Sequence, residues 1–105
     1  MSEQQNKTET LEGYVVDQAC IRKYPQDELL ERAREHTRKC ALMGHCMESG
    51  YGLIDESGRP LLLEPASTPA VVDAIRRSDR EQGIRLRATR RMQEEEMRTT
   101  GVEEA

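Results

Sequence analysis

The chain has 105 residues, 35% hydrophobic and 34% charged, with no Trp or Phe and a formal charge of −4. That length is one domain with little material for a core, so a metal, a disulfide or a partner would help hold it. The acidic balance argues against nonspecific nucleic-acid binding, the interspersed signs leave no charged tail, and no apolar run approaches a membrane span.

The apolar residues still fall into short runs, the mark of a folded chain. Residues 1–10, MSEQQNKTET, are polar and expected to be flexible. They lack the apolar stretch of a signal peptide. The protein is therefore expected in the cytoplasm, or in the periplasm or outside the cell if a leader was removed. The run 11-LEGYVVD-17 predicts a first strand with Gly13 at a bend or bulge, and 18-QACIRKY-24 a connection. Pro25 opens a predicted helix over 25–43. It suits a first turn, Asp27, Glu28 and Glu31 suit the N-terminal end, Arg38 and Lys39 suit the other end, and Gly44 is the stop. Leu29, Ala33, His36 and Cys40 are spaced by 4, 3 and 4 and share one face of it, turned to the body of the protein.

Next, 50-GYGLIDESGRPLLLEP-65 predicts a hairpin, with Tyr51 to Ile54 and Leu61 to Leu63 flanking the turn residues Ser57 and Gly58. A second helix is predicted over 67–83, capped by Thr68, with Pro69 as its first residue, Val71, Val72 and Ile75 as its buried stripe and Gly83 as its stop. In 84-IRLRATRRM-92, Ile84, Leu86, Ala88 and Met92 face in while Arg85, Arg87, Thr89 and Arg91 face out, as in a half-buried strand. Residues 93–96 form the turn and 97–102 a final strand. The expected fold is mainly β with helices (α+β), a small five-stranded OB-like barrel. One helix is inserted between strands 1 and 2, and another between strands 3 and 4. The domain is expected to span 11–102, with 103–105 a loose tail.

The layout G-Y-V-V-D-x-x-C, then H-x3-C with a second Cys, then S-G-Y-G-L-I-D-x-x-G resembles a family of small, mostly uncharacterised bacterial domains, often exported and OB-like. Gly13, Asp17, Cys20, His36, Cys40, Cys46, Gly50, Tyr51, Gly52 and Gly58 carry the likeness, over roughly residues 11–92. What it implies is a Cys/His site without an established activity.

The stretch 36-HTRKCALMGHC-46 holds both histidines and two of the three cysteines. On a continuous helix His36 and Cys40 stand side by side and share one ion, as thiolate and imidazole ligands of zinc do. Cys20 and Cys46 complete C-x15-H-x3-C-x5-C, a Cys3His set, with Asp17 and His45 as reserve ligands or as partners of a ligating histidine. Zinc is the first expectation, and Cu(I) or ferrous iron also suits these donors, with Met43 and Met47 as extra soft sulfur for Cu(I). The role would be structural, sensing or storage.

Two alternatives belong to other classes. One is a disulfide-stabilised interaction module, with a protein partner and no metal. The other is an OB-type nucleic-acid-binding domain, using the arginines of 84–91 with Arg76, Arg77, Arg80 and Arg98. Only three tyrosines are present to stack on bases, and this disfavours it. A cysteine nucleophile needs a base and a third group. His36 beside Cys40 supplies only the base, and His45 and Cys46 are adjacent, which turns them apart on a helix. No catalytic residue is assigned and the sequence leans away from an enzyme, since phosphate-loop, nucleophile-elbow and H-E-x-x-H motifs are absent.

Overall fold

A ten-residue strand, β1 (Thr8–Asp17), organises the molecule. In the computed structural model, which describes residues 8–93 and 95–105, β1 lies at the centre of an antiparallel sheet ordered β3-β2-β1-β4-β5. The other strands are β2 (Tyr51–Ile54), β3 (Pro60–Leu62), β4 (Arg85–Gln93) and β5 (Glu96–Glu104). Residues 8–14 of β1 pair with β4 and residues 14–17 with β2, so the two ladders share Tyr14. Residues 1–7, expected to be flexible, and Glu94, in the expected turn, lie outside the described residues. Pairing begins at Thr8 and runs to Glu104, beyond both expected domain limits, because Thr8 to Thr10 meet Arg91 to Thr89 and Glu104 meets Leu86.

The period-2 pattern decides which faces are covered. Val15, Leu53, Ile84, Leu86 and Ala88 join Val71 and Ile75 from the helix α5 (Thr68–Arg77) in the main core. Val16 and Ile54 point the other way and meet Leu29 and Ala33 in a smaller cluster. Arg85 and Arg87 lie outward as expected but are half-buried. Arg85 stands over the Tyr14 ring at 5.6 Å, and Arg87 Nε pairs with Glu12 at 2.8 Å. Gly13 is not a bulge. It lies in register opposite Leu86, and a Cβ there would come within 2.5 Å of the Ile54 carbonyl oxygen, so close strand approach is what requires glycine. The irregularity falls instead between Thr89 and Arg90, against β5.

Among the described residues no ladder joins β3 to β5, and the sheet is open where a barrel would close. β3 is three residues long and begins with a proline that has no N–H to give. The carboxylate of Glu64, just past β3, instead accepts from the N–H of Thr99 in β5 at 2.6 Å and from its hydroxyl at 2.9 Å.

Between β1 and β2 lie short helices: α1 (Gln18–Lys23), a 3-10 turn (Gln26–Glu28), α2 (Leu29–Glu35), α3 (Arg38–Ala41) and α4 (Gly44–Ser49). The expected connection over 18–24 is thus largely helical, since Asp17 caps it. The expected continuous helix over 25–43 breaks at His36 and Thr37, whose ψ values of 129° and 154° are extended. Thr37 caps α3, and the break is held from across the molecule. Arg38 N donates to Glu81 O at 2.8 Å, and Gly83 N donates to His36 O at 3.0 Å. α5 starts at Thr68 after a 3-10 turn (Pro65–Ser67) and ends at Arg77, short of Gly83. Thr68 is its first residue and not its cap. Ser78 stops it, with its hydroxyl bound to Glu104 Oε2 at 3.0 Å and to Arg80 N at 3.1 Å.

Candidate metal centre

Each cysteine sits three residues after a helix-preceding residue: Asp17 before Cys20, Thr37 before Cys40, Met43 before Cys46. Asp17 Oδ2 accepts from Cys20 N at 3.1 Å, and Thr37 Oγ1 accepts from Cys40 N at 3.1 Å. These caps aim the first turns of α1 and α3 at one point. The extended backbone at His36 turns its ring to the same place.

There, one ligand atom each from Asp17, Cys20, His36 and Cys40 lies within 4.8 Å of all the others. Asp17 is fully buried and the His36 side chain is 10% exposed. Nε2 of His36 stands 3.1 Å from Asp17 Oδ1, yet off the angle a hydrogen bond needs, so both buried atoms lack a hydrogen-bond partner. Buried polar groups are normally satisfied. A cation shared by the carboxylate and the imidazole would satisfy both buried atoms. Bond lengths of about 2.0–2.3 Å set the corners of a tetrahedral zinc site about 3.3–3.8 Å apart, and four atoms within 4.8 Å reach that spacing by small side-chain rotations.

Electrostatics in the metal-free protein match this donor set. Burial opposes the Asp17 charge, but the His36 imidazole and the Cys20 N–H outweigh it and hold the carboxyl down at about 2. Burial, and then the Asp17 carboxylate, push the Cys20 thiol up to about 11. The same two causes push the Cys46 thiol up to about 12. These thiols are therefore protonated at neutral pH, and an ion must displace their protons to bind.

Asp17, a reserve ligand in the sequence, belongs to the close group. Cys46 is buried and feels the Asp17 carboxylate but is not among those four. His45 is exposed, with Nε2 3.6 Å from Cys46 Sγ, so adjacency does not turn them apart. All three cysteines are free thiols. A groove of ≈ 220 Å³ reaches Cys20, His36 and Cys40 past Tyr24 and Arg32. The sequence reading missed the support given by Thr37 and the 81–83 loop, although T-x-x-C repeats the spacing of D-x-x-C and was the available signal.

Several of the arginines proposed for nucleic acid are held in ion pairs. Arg85 pairs with Glu12 and Glu56, Arg90 with Glu9 and Glu64, Arg77 with Asp73 and Arg98 with Glu96. No helix among the described residues is long and apolar enough to cross a membrane. Comparisons with protein-family models, curated proteins and solved structures return no match.

Proposed function

We propose that this is a small metal-binding protein whose ion is held by Asp17, Cys20, His36 and Cys40. The observation that carries this reading is the buried Asp17 Oδ1 and His36 Nε2 pair, without hydrogen-bond partners, beside two thiols. Two sulfurs, an imidazole and a carboxylate form a borderline donor set. It favours zinc, with ferrous iron next and Cu(I) best served if Cys46 replaces the carboxylate. Four protein ligands make a closed centre, which suits a structural or sensing role better than catalysis. When bound, the ion would supply a crosslink between the end of β1 and the kink at His36. The chain's own part is to place the imidazole beside the carboxylate, to give up the thiol protons and to exclude water around Asp17.

The strand order, with β1 shared between two ladders, supports an OB-like topology left open between β3 and β5. It fits the resemblance to the bacterial OB-like family. A second reading rests on the same proximity: the Cys20 and Cys40 sulfurs, within 4.8 Å, would also meet in a disulfide on oxidation.

Titration of the reduced protein with Co(II) distinguishes them. The metal reading expects one ion per chain, intense sulfur-to-metal charge-transfer bands and tetrahedral ligand-field bands, all lost in Cys40→Ser. Weak octahedral bands unaffected by Cys40→Ser refute it. A protein that takes up no Co(II) but crosslinks Cys20 to Cys40 under mild oxidant belongs to the disulfide reading.

A further inference from the structure

The two thiols of the centre are open to a small molecule, and the third thiol of the chain is not. Cys20 and Cys40 are half-buried and both line the groove of ≈ 220 Å³, whereas Cys46 is buried and lies outside that lining. The groove also runs over Val16, Leu29 and Ala33, and the Arg32 guanidinium beside it lies over the Tyr24 ring at 4.7 Å. A space of that size suits a small reagent and no folded partner.

The two sulfurs are also placed to join. They lie within 4.8 Å of each other, and side-chain rotation has to close that gap to the roughly 2.05 Å of a disulfide. Such a bond ties the same two places that a shared ion ties. Cys20 stands in the first turn of α1, capped by Asp17, and Cys40 in the first turn of α3, capped by Thr37. The bonds that hold the kink, Arg38 N to Glu81 O and Gly83 N to His36 O, involve neither sulfur. One crosslink can therefore replace the other while the kink keeps its own support.

We propose that the centre is a redox switch, in which a small hydroperoxide entering the groove joins Cys20 to Cys40, and the ion is released while the insertion stays ordered. This rests on the metal-binding reading and makes the disulfide a second state of the same site. One thiolate attacks an oxygen of the hydroperoxide. An S–O bond forms as the O–O bond breaks, and the departing oxygen takes a proton from solvent, leaving as an alcohol or, from hydrogen peroxide, as water. The other thiolate attacks that sulfur. The S–S bond forms as the S–O bond breaks, and the hydroxide takes a second proton and leaves as water. The two sulfurs together lose two electrons, and the hydroperoxide gains them. Thiolates ligate metals and disulfide sulfurs do not, so Asp17 and His36 alone are left to hold the ion.

The test adds hydrogen peroxide to the reduced, Zn(II)-loaded chain. A chromophoric chelator reads released Zn(II), and a thiol reagent reads the remaining thiols. One Zn(II) should appear for each pair of thiols lost, one of the three cysteines should stay reduced, and a phosphine reductant should restore binding. Peptide mapping should find Cys20 joined to Cys40. Cys40 and Cys46 share one tryptic peptide, so fragmentation between them assigns the sulfur. Amide exchange at residues 36–41 should stay as slow in the oxidised, metal-free protein as in the Zn(II)-loaded one. Zn(II) retained after both thiols are lost, thiols that peroxide leaves intact, a link through Cys46 or an oxidation the reductant cannot reverse each overturn the switch and leave the metal centre standing. Release with fast exchange at 36–41 overturns it too, because the disulfide then fails to replace the ion. A reduced chain that binds no Zn(II) overturns the metal-binding reading and the switch together.

Discussion

The sheet and the helical insertion are held by different means. The sheet buries Leu53 and Leu86 completely beneath α5, whose own Ile75 is fully buried, and joins strands across long sequence separations. The insertion over 18–49 has helices of only four to seven residues and a small cluster around Leu29 and Ala33. Helices that short are marginal by themselves. Their order comes from side-chain caps, from backbone bonds to the 81–83 loop, and from the point where Asp17, Cys20, His36 and Cys40 meet. A self-supporting sheet and a site-supported insertion should therefore respond to different perturbations.

The largest effect falls on the sheet side. Ile75→Ala removes a fully buried side chain and should cost about 2–5 kcal/mol in a urea melt. Zn(II) should not restore the difference between variant and parent. On the insertion side, Cys40→Ser should lower Zn(II) affinity by more than about 100-fold, beyond the range of changes to outer partners, and competition with a chromophoric chelator measures it. If Ile75→Ala and Cys40→Ser depress both properties alike, the two regions are one cooperative unit and the contrast fails.

The pH dependence sharpens the comparison further. Asp17 has its folded value lowered from 3.8 to about 2, so its stabilisation is full above the unfolded value and is lost as pH falls toward 2. Cys20 is raised from 9.0 to about 11, so its contribution is intact below the unfolded value and is lost as pH rises through 11. Metal-free protein should thus weaken at both extremes. Metal binding must release the Cys20 proton, so apparent affinity should rise by at least about tenfold per pH unit near neutrality, as isothermal titration in buffers of different ionisation enthalpy would reveal. Smaller still, Thr37→Ala deletes the cap of α3 and should cost about 1 kcal/mol. Arg87→Ala removes a surface ion pair and should leave the urea midpoint nearly unchanged.

The regular parts of this fold were legible because their signals are local. Ile84, Leu86 and Ala88 alternate with outward side chains, and Ser57 and Gly58 mark the hairpin, where Asp55 Oδ1 binds the Ser57 and Arg59 amides. The site was legible in composition but not in construction. Leu29, Ala33, His36 and Cys40 fit a continuous helix by spacing. Yet His36 and Cys40 meet across a break whose partners, Glu81 to Gly83, lie more than forty residues away. Periodicity cannot register a kink fixed by such distant backbone bonds. Asp17 was undervalued for a related reason: its place depends on capping α1 and facing His36 at once, and the first role is local while the second is not.

Amide hydrogen exchange with and without Zn(II) tests the central claim most directly, since it reads each region separately. With free Zn(II) at about a thousand times its dissociation constant, a site formed only by the ordered insertion can slow exchange there by up to about a thousandfold. The expected protection is concentrated in α1 and in residues 36–41. Amides at the centre of the β1–β4 ladder should change far less. Protection spread evenly over sheet and insertion, or none at residues 36–41, would contradict a metal centre that holds the insertion in place.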